Sequence, residues 1–263
     1  MKIESKCLHA GYEPKNGEPR VLPIYQSTTY KYYPTDFFGQ LCDLTAEGHM
    51  NSRISNPTVD AVEKKIAALE GGVGALCTTS GQSATFLALM NVLESGDHLV
   101  ASSTIYGGSV NLLSITFRKF GIEVSYVDPD AAAEEIEKLI RPNTKAVFGE
   151  IMANPAMNVL DIEKFASVAH AHDIPLFVDN TFATPVLCQP FRFGADIVIH
   201  STTKYMDGHA LQIGGVIVDG GTFNWANGKF PGLSTPDASY HGIVYTDNFQ
   251  EAAYITKARV QLM

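Results

Sequence analysis

From Pro57 onward, short apolar runs alternate with stretches of helical period, and no other feature narrows the fold as far. The runs are Ala75–Thr79, His98–Ser102, Glu123–Val127, Ala146–Ile151, Leu176–Val178, Ile197–Ile199 and Val216–Val218. Between them lie Gln82–Leu93, Ser109–Phe120, Ala132–Ile140 and Ile162–His172, with apolar residues at helical spacing. A helix is also expected from Asn56-Pro57-Thr58 through Val62, Ile66 and Leu69, ended by Gly71-Gly72. Runs that are apolar throughout are strands covered on both faces. Strands of that kind separated by helices build an α/β domain with a mostly parallel sheet of about seven strands between helices. Residues 1–56 lack this periodicity and are rich in Gly, Pro, Tyr and Thr. They are expected to form an extended N-terminal arm that packs on something else.

In such sheets ligands sit outside the carboxyl ends of the strands. Four of these ends carry chemistry. Thr79-Ser80-Gly81-Gln82 opens a helix, and the amides at a helix N-terminus suit a phosphate; an ordinary N-cap serine explains Ser80 as well. Ile105-Tyr106-Gly107-Gly108 follows the second run. Its glycines let an aromatic ring approach closely, although a turn tyrosine on the surface fits the same residues. Asp179 closes the apolar run Leu176–Val178. A carboxylate there needs a partner, which a pyridinium nitrogen supplies, or it is a cap or turn aspartate. Lys204 follows the run Ile197–Ile199 and the hydroxyl residues Ser201, Thr202 and Thr203. Desolvation there would free its amine for a Schiff base, whereas a solvated strand-end lysine is the plainer alternative. Ser201 and Thr203 can donate to phosphate oxygens. Together the four ends supply a phosphate seat, a stacking ring, an acid for a pyridine nitrogen and an amine, the set that pyridoxal 5'-phosphate (PLP) requires. No GxGxxG follows a strand and no P-loop occurs, which argues against a dinucleotide or a nucleoside triphosphate.

Composition narrows the partners. The net charge of −9 argues against nucleic acid and anionic membranes, and no apolar run approaches the length of a membrane helix. The N-terminal residues have no apolar core of signal-peptide length. Cys7, Cys42, Cys77 and Cys188 show neither CxxC nor zinc spacing. They read as buried or idle thiols of a reducing, cytoplasmic protein without a metal site.

STTKYMDGH (201–209) resembles the PLP-lysine signature of the Cys/Met-metabolism enzymes, the trans-sulfuration family. PIYQSTTY (23–30), SRISNPT (52–58), LEGG (69–72), TSGQSA (79–84), YGGS (106–109), NPAMNVLDI (154–162) and VDNTFATP (178–185) resemble family segments in order along nearly the whole chain. SGQ, YGGS, the helix at Ile162–His172 and DGHALQIGGVIVDGG are most similar to the O-acetylhomoserine sulfhydrylase branch. The resemblance implies a fold-type I large domain like that of aspartate aminotransferase, with residues 1–56 as an intersubunit arm and 57–263 as the PLP-binding domain. It implies Lys204 as the lysine that holds PLP and moves protons, and Asp179 against the pyridine nitrogen. Tyr106 would stack on the ring and Asn154 would contact the ring hydroxyl. Ser80, Gly81, Gln82, Ser201 and Thr203 would lie at the phosphate. Arg53 would reach the phosphate of a neighbouring subunit in a homodimer or homotetramer. The implied reaction is γ-replacement on O-acetylhomoserine by sulfide or a thiol, in methionine biosynthesis. A methionine γ-lyase, a cystathionine synthase or lyase, and an inactive scaffold fragment are the alternatives.

Two departures stand out. The family usually has a tyrosine two residues before the arginine of SRISNPT, where this chain has Asn51, which can hydrogen-bond but cannot act as an acid or base. Family chains also continue past ARVQLM (258–263) into a smaller C-terminal domain with the arginine that grips the substrate carboxylate. In this chain a helix is expected from near Asn248–Gln250 to Met263, and that smaller domain is expected to be missing.

Overall fold

The structure, a computed structural model, describes residues 1–262. Residues 1–56 hold two short helices, α1 (Ile3–His9) and α2 (Thr35–Cys42), joined by irregular chain. They are therefore less extended than expected. Asn56 ties this segment down. Its Oδ1 accepts the Thr58 N–H at 2.9 Å and so caps α3 (Pro57–Glu70), while its Nδ2 faces Tyr25 O and the Tyr30 and Ser52 hydroxyls at 2.8–2.9 Å. Pro57 occupies the first helical position, where a missing N–H costs nothing, and Gly71, with φ of 87°, ends the helix in the left-handed region.

Seven strands follow: β1 (Gly74–Thr78), β2 (His98–Ser102), β3 (Glu123–Val127), β4 (Thr144–Glu150), β5 (Leu176–Asp179), β6 (Ile197–His200) and β7 (Gly215–Asp219). They form one sheet in the order β1-β7-β6-β5-β4-β2-β3. The four pairings from β6 across to β3 are parallel, and β7 runs antiparallel to both β1 and β6. The mixed sheet agrees with the expected α/β class. The strand period of two explains why the inner runs are mostly apolar on both faces. Leu99, Phe148, Phe177, Ile199 and Ile217 face one core, and Val100, Val147, Val178, Val198 and Val216 face the other.

Helix α4 (Gly81–Met90) covers the first face. The chain from α5 (Gly107–Asn111) through a π-helical turn at Leu112–Thr116 into α6 (Phe117–Lys119) covers it too. Helices α7 (Ala133–Glu137) and α8 (Ile162–Ala171) join α3 on the second face. The helix expected over Ser109–Phe120 thus begins earlier and is interrupted, and that over Ala132–Ile140 is shorter. Helices α9 (Thr184–Leu187), α10 (Pro231–Ser234) and α11 (Tyr245–Phe249) are short, and α12 (Ala253–Leu262) carries Tyr254 into the first core. Arg259 of α12 pairs with the buried Glu63 of α3 at 2.5 Å and donates to Ile54 O at 2.8 Å. The helix expected to start near Asn248–Gln250 begins instead at Ala253, after a 3-10 turn at Gln250–Ala252, and Met263 lies outside the described residues.

All four cysteines are free. Cys7 and Cys42 are exposed, so of the two readings, buried or idle, only the second is open to them. Both lie in the N-terminal segment, which packs only partly on the domain. Cys77 behaves as expected of an idle thiol, pushed up to about 12 by burial and by the charge of Glu63. Among the described residues, no helix is long and apolar enough to cross a membrane.

Candidate active site

The carboxyl ends of β1, β4, β5 and β6 open on one cavity of about 510 Å³. It is lined by Ser80, Gly81, Gln82, Tyr106, Asn154, Asp179, Ser201, Thr203 and Lys204. Nine of the ten residues singled out from the sequence therefore meet in one place. The tenth, Arg53, is exposed in the turn before α3 and does not line this cavity. Asn51 Oδ1 accepts the backbone N–H of Arg53 at 2.9 Å, so the residue in the usual tyrosine position shapes the turn that carries the arginine.

Ser80 caps α4. Its hydroxyl accepts the Ser83 N–H at 3.1 Å and its carbonyl takes the Ala84 N–H. The plainer reading of Ser80 is correct for its side chain, and the anion-binding capacity falls to Gly81 and Gln82. Their amides are the first two of the helix, outside its i→i−4 ladder and at the positive end of its dipole. Gly81 is required by close packing: a Cβ there would stand 2.4 Å from Ser201 Cβ. Gln82 Nε2 donates to Gly108 O at 3.0 Å and ties the α4 start to the Tyr106 turn.

The Tyr106 ring lies against Gly108, where a Cβ would come within 2.4 Å of Tyr106 Cε1. Tyr106 is 51% exposed and lines the cavity. Thr203 lines the cavity, but its hydroxyl donates to Gly214 O at 3.1 Å and accepts the Gly214 N–H at 3.1 Å. It braces the loop that leads into β7. Lys204 is exposed, which corrects the expectation of desolvation. The turn after β6 places its side chain at the cavity.

Asp179 closes β5. Thr181 donates to its Oδ1 twice, from the backbone N–H at 2.9 Å and from the hydroxyl, and that hydroxyl accepts the Ser201 N–H at 2.8 Å. Burial pushes the Asp179 carboxyl above its usual value, against the Thr181 hydrogen bonds and the nearby His200. Behind it, the fully buried His200 Nε2 meets Glu70 Oε1 at 2.5 Å, and Asn180 Nδ2 donates to the same oxygen at 3.0 Å. This buried network stiffens the ends of β5 and β6 from below.

Two residues of the site went unnoticed in the sequence. Thr181 links Asp179 to the backbone of Ser201. Glu150, the last residue of β4 and the register partner of Asp179, also lines the cavity. Burial and the neighbouring Asp179 charge push its carboxyl up to about 8. The expected strand Ala146–Ile151 ran through Glu150 and hid it. The rule that picked out Asp179, an acid closing a buried strand, was the signal that could have found it.

The cavity thus holds two carboxyls short of a positive partner, an amine across from them, a helix N-terminus and an aromatic face. That donor set suits a flat ring with one cationic nitrogen, a carbonyl and an anionic arm, and PLP is such a molecule. No cluster of three or more His, Cys, Asp or Glu side chains that could hold a metal occurs among the described residues.

Comparison with known proteins agrees with this chemistry. The family described as Cys/Met metabolism PLP-dependent enzyme matches residues 4–234. An O-acetyl-L-homoserine sulfhydrylase of Leptospira meyeri is 46% identical over 99% of this chain and 61% of its own length. A homocysteine/cysteine synthase of Kluyveromyces lactis is 46% identical over 97% of this chain and 59% of its own. The crystal structure of a Campylobacter jejuni protein named as an O-acetylhomoserine (thiol)-lyase superposes with a TM-score of 0.93 at 36% identity. It spans 97% of this chain and 64% of that one, and contains pyridoxyl-lysine-monophosphate. This chain therefore spans about 60% of the length of the curated relatives it matches.

Proposed function

The chain belongs to the Cys/Met metabolism PLP-dependent enzymes, and from that premise we propose that it carries the cofactor-binding part of an O-acetylhomoserine sulfhydrylase. The proposed reaction is γ-replacement on O-acetylhomoserine by sulfide or a thiol, giving homocysteine or methionine. The observation that carries the reading is the meeting of Lys204, Asp179 and the α4 N-terminus in one cavity. The names of the relatives support this substrate over the lyase alternatives.

Bound here, PLP supplies the electron sink that makes substrate carbon–hydrogen bonds acidic and lets the γ-substituent leave. The residues supply the rest. Lys204 Nζ would hold the cofactor covalently and, when free, would move protons between substrate carbons. Its exposure leaves room for that motion. Asp179, fixed by Thr181, would keep a proton on the pyridine nitrogen. Tyr106 would pack on the ring, and Asn154 would meet the ring hydroxyl. The Gly81 and Gln82 amides, with Ser201, would take the phosphate.

The active form is proposed to be a homodimer or homotetramer with shared sites, Arg53 serving the phosphate of the neighbouring subunit. Support comes from an apolar rim around the site. Val186, Leu187, Tyr205, Leu211 and Ile213 are each more than half exposed, and a second cavity of about 640 Å³ between Cys7, Val62, Leu69 and Met206 is mostly apolar-lined. Apolar surface of this extent marks an interface. The cytoplasm is the proposed location, in keeping with four free thiols.

Assay of the purified chain with O-acetylhomoserine and sulfide tests the reading. Homocysteine is expected to form, and none above the Lys204→Ala background would refute the assignment. A second prediction concerns the phosphate seat. Gly81→Ala forces a methyl group onto Ser201, an overpacking strain of about 1–3 kcal/mol. Titration followed by visible absorbance is expected to show PLP affinity lowered correspondingly, while Gly39→Ala, in open space on α2, leaves it unchanged.

A further inference from the structure

We propose that Glu150 is a positioning residue of this site, holding the backbone of Tyr106 so that its ring presents a fixed face to the cofactor. The inference rests on the PLP-binding reading above and assigns a role that the sequence motifs did not suggest.

The contact is direct. Glu150 Oε2 accepts the Tyr106 N–H at 2.6 Å, bridging 44 residues of sequence. Tyr106 stands immediately before α5, and its own side chain makes no capping hydrogen bond to that helix. The start of α5 is therefore anchored from the sheet instead. The anchoring carboxyl is itself well fixed: Glu150 is 6% exposed and ends a strand bonded to its neighbours on both sides. From the other direction, the Tyr106 ring rests on the Gly108 backbone, which Gln82 holds through its carbonyl. The ring is thus set by two contacts, one at its amide from β4 and one beneath it from α4.

Placement of a buried acid here has a cost that a merely structural acceptor would avoid. Glu150 lies beside Asp179, and both carboxyls face the same cavity. Like charges so placed push one another toward the neutral form. A carboxyl oxygen accepts from an amide whether or not the group is ionised, so the clamp on Tyr106 survives when Glu150 is neutral and Asp179 carries the charge. This division leaves Asp179 as the partner of the cationic ring nitrogen and Glu150 as the clamp on the stacking residue.

The role predicts a defined pattern among variants. Glu150→Gln keeps an acceptor oxygen at the same reach and should preserve the clamp. Glu150→Ala removes it, and Glu150→Asp withdraws it by one methylene while keeping the charge. Amide hydrogen exchange at Tyr106 in the cofactor-free chain, and PLP affinity by visible absorbance, read the two ends of the proposal. The Ala and Asp variants are expected to exchange the Tyr106 amide about tenfold faster or more. They should bind PLP about 2- to 10-fold more weakly, the range of one hydrogen bond between uncharged groups. Glu150→Gln should match the wild type in both. The Asp variant decides the question if the Ala variant does not fold. Wild-type affinity in the Asp variant overturns the proposal, whether or not its Tyr106 amide stays protected. Equal losses in Gln and Asp overturn it as well, because an acceptor kept at full reach would then fail to preserve the site. A wild-type chain that binds no PLP overturns the functional reading instead, and is recognised before any variant is compared.

Discussion

Lys204→Ala is expected to lower homocysteine formation by about 10²–10⁴-fold, the usual contribution of a positioned acid–base group. The size follows from the position of Lys204. It is the single lysine among the side chains lining the site cavity, so none of the others there can take over proton transfer at the substrate carbons. Loss of fold is not expected to contribute. Lys204 is exposed and sits in the turn after β6, where its backbone N–H bonds Ser201 O at 3.2 Å and an alanine keeps that bond. The variant should therefore show the circular dichroism and thermal midpoint of the cofactor-free wild type. Added small amines should restore part of the rate, because the cavity vacated by the side chain admits them. An undiminished rate, or a rate lost together with the fold, would count against the role given to Lys204.

Asp179→Asn is expected to act in two opposite directions. Cofactor affinity should fall by about 2–5 kcal/mol, the cost of removing one member of a buried, hydrogen-bonded charge pair. Asparagine can still accept from Thr181 through its Oδ1, so the strand end stays in place and the loss reports the charge. In the cofactor-free chain the sign reverses. Burial raises Asp179 above its unfolded value, as it raises Glu150 to about 8. A carboxyl raised in this way contributes its full stability below the ordinary carboxylate range and loses it as pH climbs through the folded value. The cofactor-free wild type should therefore lose stability as pH climbs from the ordinary carboxylate range to about 8, the folded value of Glu150. Asp179→Asn should lose less over the same window, because one of the two acids no longer ionises. Denaturant unfolding at several pH values, paired with PLP titration, reads both effects. A variant that binds PLP normally, or that is more alkali-sensitive than the wild type, would contradict the assignment.

Much of this architecture was legible in the residues. All seven strands lie where the apolar runs place them, since the inner strands, buried on both faces, leave an apolar signature that the edge strand β3 keeps only in part. Asn56-Pro57 and Gly71 marked both ends of α3, because cap, proline and left-handed glycine are local chemistry. What stayed hidden depended on tertiary packing. The interruption at Leu112–Thr116 preserves apolar spacing and leaves no mark in sequence. The two helices of residues 1–56 are short and weakly patterned. The site followed the same division. Lys204, Asp179 and Tyr106 were visible as strand-end residues with unusual chemistry. The exposure of Lys204 was not, because it depends on what fails to cover the turn after β6. Thr181 and Glu150 act through partners 20 and 44 residues away, Ser201 and Tyr106, and only the sheet order brings these together.

The most direct measurement is to mix the purified chain with PLP, reduce with borohydride and locate the pyridoxyl group by peptide mass mapping. The cavity predicts a yellow complex and a single modified peptide carrying the group on Lys204. No attachment, or attachment to another lysine, would contradict the assignment of this cavity as the cofactor site.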